Sequence, residues 1–309
     1  MLQKQRLMQF AALCCVAVMA LSAHAEEGKS TEFMRFVAEG DNGGTLESAI
    51  VRYCNVDGVA IDLVGAVHVA DKEYFEKLNE RFVGYDAVLY EMVKPEGTGV
   101  PQKGMQSNSP VSGFQRMLKN ILELDFQLDT IDYTPANFVH ADLTAEQFQQ
   151  LQQDRGESLL ALMLRAILND IQRPRANGAS PLTLQDLLAA AGAPDRGRQL
   201  KLLLAPQFQD MEAMVAGFGD ASGESVIITE RNKAAMGVLK DQLAQGKQNI
   251  AVFYGAAHFP DMEVRLKELG FEPASTEWMI AWDMRKEKSD HPEEEKPVEQ
   301  DTQPQYERI

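Results

Sequence analysis

Residues 45–54 alternate apolar and polar positions like a strand, 55–58 supply turn residues, and 59–64 form a second run of β-branched and apolar residues. The pattern predicts a hairpin that delivers the chain to Gly65. From Asp71 to about Phe82 the period becomes helical, with Tyr74, Phe75, Leu78 and Phe82 on one face and Asp71 placed to cap the start. Residues 87–92 are short, apolar and bounded by Asp86 and Pro95, as a buried parallel strand is, and they carry Glu91. Residues 95–110, rich in Gly, Pro and Ser, predict a long loop. Helical periods follow at 113–124, 144–154, 158–172, 183–191 and 199–218, the second opened by a Thr144/Gln147 capping-box signature. Together they predict a helical insertion over about 111–218. Strands and helices then alternate again: a strand at 226–229, a helix carrying Arg231, Met236 and Leu239, and a strand at 249–254. A helix with Pro260 in its first turn follows, stopping near Gly270, and then a last strand at 276–282.

Within this pattern one unit occurs twice. Residues 64–71 read V-G-A-V-H-V-A-D and residues 254–261 read Y-G-A-A-H-F-P-D, each after an apolar strand and before an amphipathic helix. The repeat predicts an α/β fold in which duplicated β-α-β elements form a central mixed sheet flanked by helices. Gly65 and Gly255 would turn the chain off its strand and admit a close neighbour. Ligands of such folds sit beyond the carboxyl ends of the parallel strands, so His68 and His258 should share one crevice if their strands are adjacent. Asp71 and Asp261 read as helix caps.

Outside the first 25 and last 25 residues the only histidines are His68, His140 and His258, and two of the three hold the same place in the repeat. Glu91, on the strand after the first unit, would reach the same sheet edge. Two imidazoles and one carboxylate make an open site suited to Zn, Mn, Co or Fe(II). His140, in N-F-V-H-A-D, is either a third imidazole or general acid whose ring Asp142 orients, or a histidine of the core or surface. Arg231, in T-E-R-N-K, follows a strand and opens a helix; it is either a solvated surface cation or a group that stabilises an oxyanion or clamps a carboxylate.

The ends of the chain change the picture of where this site works. Lys4 and Arg6 precede an apolar run at 10–21 and a small-x-small triplet, Ala23-His24-Ala25, which together have the form of a secretory signal peptide cleaved after Ala25. A secreted or periplasmic protein without a stable membrane anchor is expected. Residues 26–284 would form the folded domain, and 285–309, with eight acidic and five basic residues and three prolines, a disordered acidic tail. Of three cysteines only Cys54 lies beyond the signal, so a packed core rather than an internal disulfide must hold the fold. The net charge of −16, more negative still without Lys4 and Arg6, argues against nucleic acid as a partner.

The paired motifs Gly65-Ala66-Val67-His68 and Gly255-Ala256-Ala257-His258, with V-L-Y-E-M between them and an E-R-N helix start, resemble the TraB/PrgY/Tiki family, a group related to erythromycin esterase-like and ChaN-like proteins. The resemblance spans about residues 45–283. It implies a metal-dependent peptidase with His68 and His258 as ligands, Glu91 as ligand or general base, and Arg231 as stabiliser of the tetrahedral intermediate. The divalent ion would be Mn, Co or Zn and the substrate a peptide or small molecule. The alternative is a non-catalytic protein that sequesters a peptide, haem or metal. A third possibility is a repeat that serves fold geometry alone.

Overall fold

The computed structural model describes residues 31–100, 122, 124–156, 183–216 and 225–286. The expected signal peptide, the helices at 113–124 and 158–172, most of the 95–110 loop and nearly all of the tail lie outside these residues, save Leu122 and Leu124 of the first helix.

The hairpin forms as expected, with β2 (Gly44–Cys54) antiparallel to β3 (Ala60–Ala66), and β1 (Met34–Ala38) pairs with the first part of β2. After the two-residue β4 (Val69–Ala70), α1 (Lys72–Phe82) buries the apolar face read from the sequence and leads into β5 (Ala87–Tyr90). Strand β8 (Asn249–Gly255) lies between β3 and β5 and runs parallel to both. All seven β3 residues are buried, as an apolar strand covered on both faces requires. Both G-A-x-H stretches therefore leave neighbouring parallel strands at the same edge of the sheet.

The repeated units end differently. The first closes on β5, parallel to β8. The second continues through α7 (Phe259–Glu268), with Pro260 in its first turn, into β9 (Glu272–Asp283), which pairs antiparallel with β2 along its length. The result is a mixed sheet of parallel and antiparallel strands flanked by helices, an α/β fold.

The middle of the chain is less purely helical than its periodicity predicts. Short β6 (Asp125–Phe126) pairs with β4, and β7 (Phe138–His140) adds to the main sheet, parallel to β5. Between them α2 (Gln127–Thr130) makes one turn. The helices α3 (Ala145–Arg155), α4 (Leu184–Ala191) and α5 (Arg196–Ala216) stand where helical periods occur, and α3 opens with the full Thr144/Gln147 capping box. The strand expected at 226–229 is instead a π-helical turn (Val226–Glu230) leading straight into α6 (Arg231–Ala244). Ser225 accounts for this: its hydroxyl accepts from Ile228 N–H and its carbonyl from Glu230 N–H, closing the five-residue step. Among the described residues no helix is long and apolar enough to cross a membrane.

Gly65 lies inside β3 rather than at a turn, and neither motif glycine has a positive φ. A Cβ on Gly65 would fall 2.3 Å from Ser48 Oγ and 3.1 Å from Ala49 O on β2. Close packing is what demands glycine there. The Gly65 carbonyl in turn accepts from Ser48 Oγ at 2.6 Å and Tyr74 OH at 2.5 Å, which seats α1 against the strand just before His68.

Candidate metal and catalytic site

The carboxyl ends of β3, β8, β5 and β7 bring together residues far apart in sequence. Glu91 is the first residue after β5, Gly255 ends β8 with His258 one turn later, and Asp142 follows β7 by two residues. Arg231, first residue of α6, reaches across them: its Nη2 donates to Glu91 Oε1 at 2.7 Å and Asp142 Oδ2 at 2.5 Å, and its Nε to Asp142 Oδ1 at 3.0 Å. Glu91 Oε2 accepts from Gly255 N–H at 2.7 Å. A Cβ on Gly255 would stand 3.4 Å from Oε2, an ordinary contact, so the N–H bond does not by itself demand glycine there. Tyr254 OH donates to the Ala141 carbonyl, pinning the segment that carries Asp142.

His258 is 4% exposed, with its Nε2 3.7 Å from Glu91 Oε1. Its Nδ1 lies 2.6 Å from Asn232 Oδ1, and the Asn232 amide nitrogen donates to His258 O at 3.0 Å and Asp261 Oδ2 at 2.7 Å. The two acceptors fix which end of the carboxamide faces the ring. Asn232 Oδ1 can only accept, so the proton sits on His258 Nδ1 and Nε2, 3.7 Å from Glu91 Oε1, is left as an acceptor. Burial lowers the His258 pKa to about 4 and keeps the ring neutral near pH 7. Burial pushes the Glu91 pKa up, but His258 once it is protonated at low pH, the Arg231 guanidinium, His68 and the Gly255 N–H outweigh it and hold it at about 2. Burial works against the Arg231 charge too, yet the bonds to Asp142 and Glu91 keep the guanidinium firmly protonated.

His68, exposed beyond β3, has the matching arrangement: Nδ1 is 2.9 Å from Gln127 Oε1. Pairing of β6 with β4, sealed by Gln127 N–H donating to His68 O at 3.0 Å, places that carboxamide beside the ring. Gln127 Nε2 donates to Tyr133 OH at 2.8 Å, and Tyr133 is anchored among Tyr90 and Phe138. His68 is near enough for its charge to act on both Glu91 and His258.

Four of the expected residues, Glu91, Arg231, His258 and Gly255, thus touch or face one another, with His68 close by. His140 is engaged elsewhere: Nε2 bonds the Met92 carbonyl at 2.6 Å and the ring packs on Tyr90. Asp142 pairs with Arg231 and takes Leu143 N–H, rather than orienting His140. The motif aspartates are not side-chain caps. Asp71 stands at the N-cap of α1 but accepts from Lys201 Nζ at 2.7 Å and Asp283 N–H at 2.6 Å, tying α5 and β9 to the His68 segment. Asp261, inside the first turn of α7, pairs with Arg265 and Asn232. Asn232, Gln127 and the pairing of Asp142 with Arg231 escape the sequence reading; the only available signal was Asn232 beside Arg231 in E-R-N.

The donor set fits a divalent ion in its chemistry: a neutral imidazole with its Nε2 lone pair turned inward, an ionised carboxylate, and a second imidazole at hand, both rings held through Nδ1. Among the described residues no group of three or more His, Cys, Asp and Glu side chains is gathered around a common point, and Glu91 Oε1 bonds Arg231. Comparison of the chain with family models, with curated proteins and with solved structures finds no match.

Proposed function

We propose that the protein is an exported, divalent-metal-dependent hydrolase of peptide bonds, with His258, Glu91 and His68 as the ligand set. One observation carries the reading. His258 Nε2 and Glu91 Oε1 face each other at 3.7 Å as two acceptors, a lone pair against a carboxylate, with the ring proton committed to the opposite nitrogen. Facing acceptors repel unless a cation joins them, and two bonds of about 2.1 Å each to one ion can span that gap. The resemblance to the TraB/PrgY/Tiki family supports the same assignment, and the signal-like leader supports export.

When bound, Zn, Mn or Co supplies Lewis acidity toward a substrate carbonyl. The chain supplies the rest. Asn232 and Gln127 orient the two imidazoles. The Arg231 bonds to Asp142 and Glu91 use Nε and Nη2, so among the described residues they leave Nη1 to meet an oxyanion. With its pKa held at about 2, Glu91 is suited to binding a cation; it gains the basicity to take a proton from water only when Arg231 releases it. The same low pKa favours the second reading, a protein that binds metal or peptide without turnover.

A peptide library incubated with protein loaded with Mn, Co or Zn separates the two. Cleavage by the wild type, reduced by about a hundredfold or more in Glu91→Gln, is the expected result. Peptides retained intact by metal-loaded protein would leave the binding reading in its place.

A further inference from the structure

Arg231 and an incoming cation have a claim on the same oxygen. Glu91 Oε2 is occupied by the Gly255 N–H, while Oε1 both takes the Arg231 Nη2 bond at 2.7 Å and faces His258 Nε2 at 3.7 Å. An oxygen in a charge-assisted bond to a guanidinium is a weaker donor to a metal, so the two cannot both hold Oε1 at full strength. Arg231, however, has a second anchor. Asp142, its side chain fully buried, takes two guanidinium bonds, through Nε at 3.0 Å and Nη2 at 2.5 Å. Leu143 N–H, at 2.8 Å, is a further donor to the same carboxylate. One guanidinium between two carboxylates leaves a surplus negative charge in a buried place, and that surplus favours a second cation.

Resting on the metal reading above, we propose that Arg231 is a resident counter-ion that an incoming divalent cation displaces from Glu91 Oε1, and that Asp142 retains the displaced guanidinium in the site. The exchange turns Glu91 from the partner of an arginine into a metal ligand. It also frees an Arg231 N–H at the moment a substrate oxygen needs it. Asp142 is then a positioning residue, acting on metal affinity through Arg231.

The exchange differs in sign from a supporting role. If Arg231 merely oriented Glu91 for the ion, weakening their bond would weaken metal binding. If the two compete, weakening the bond strengthens it. Arg231→Lys keeps the positive charge and can pair with Asp142, but its shorter, single-nitrogen head lacks the planar fork that now gives two bonds to Asp142 and one to Glu91, so the bond to Glu91 is weakened. A purely Coulombic influence therefore leaves this variant like the wild type.

The test is calorimetric titration of the full chain with Mn²⁺ and with Zn²⁺ at fixed pH and ionic strength, with folding checked by the urea midpoint. Arg231→Lys should bind about tenfold more tightly than the wild type, and Asp142→Asn, which leaves the guanidinium only Glu91, about tenfold more weakly. Should Arg231→Lys not fold alone, the pair Arg231→Lys with Asp142→Asn decides, since it keeps the positive charge, and it should bind more tightly than Asp142→Asn alone. Equal or weaker binding by Arg231→Lys, or by the pair relative to Asp142→Asn, overturns the exchange and leaves the metal reading standing. No binding of either ion by the wild type or any variant overturns the metal reading, and the exchange with it.

Discussion

His258 and His68 sit beyond the ends of adjacent parallel strands, after the same letters G-A-x, in opposite surroundings. His258 is buried against Glu91, and its ring is held by a carboxamide whose orientation two acceptors, the His258 carbonyl and Asp261, determine. His68 is exposed, and its Gln127 is steadied by Tyr133 OH, a group able to donate as well as accept. Even the glycines differ. Gly65 is required by the approach of Ser48 on β2, whereas Gly255 offers its N–H to Glu91. A repeated motif here specifies a position on the sheet, and the surrounding elements make one copy a fixed post and the other an open side.

The largest effect that sharpens this contrast is on stability. Gly65→Ala forces a methyl into Ser48 Oγ and near the Ala49 carbonyl and should cost about 2–3 kcal/mol, whereas Gly255→Ala, whose methyl meets Glu91 Oε2 at ordinary contact distance, should cost less than about 1 kcal/mol. Urea unfolding of the two variants checks it; equal costs would mean that the two glycines serve the same purpose after all.

The buried half should also carry its own pH signature. His258 has a pKa of about 4 when folded against 6.5 as its ordinary value, so the unfolded chain binds the extra proton first and stability falls as pH drops from 6.5 toward 4. Glu91, lowered from 4.5 to about 2, adds a second loss from about pH 4.5 downward. Each step is on the order of 3 kcal/mol at 1.36 kcal/mol per unit. Urea midpoints measured across pH 2–7 should show both, and His258→Gln should remove the upper one and shrink the lower, since the His258 charge is the largest of the effects that lower Glu91. A profile flat from pH 6.5 to 4 would contradict a buried, neutral His258.

Much of the scaffold was legible because its signals are local. The β2–β3 hairpin, the Tyr74/Phe75/Leu78/Phe82 face and the Thr144 capping box follow from period and turn chemistry alone. Glu91 was legible as a residue of the same sheet edge because it follows a short apolar strand, whereas Arg231, opening a helix, was left between a surface cation and a site residue. The apolar V-I-I-T at 226–229 misled, since a short β-branched run suits a strand and a buried turn equally, and Ser225 decided between them. Asn232 and Gln127 carry no periodic signal; they matter only because β6 pairs with β4 and α6 lies beside His258, contacts between distant segments. Asp71 was placed at its N-cap correctly, but Lys201 and the Asp283 N–H, 130 and 212 positions away, claim its carboxylate.

The two unlike halves are proposed to hold one ion between them. Elemental analysis of purified wild type, His68→Ala and His258→Ala after equilibration with Mn, Co and Zn tests it most directly. One divalent ion per wild-type chain and its loss from both variants, with His258→Ala the more severe, is the expected result. A folded wild type that retains none of the three, or variants that retain as much as the wild type, would contradict it.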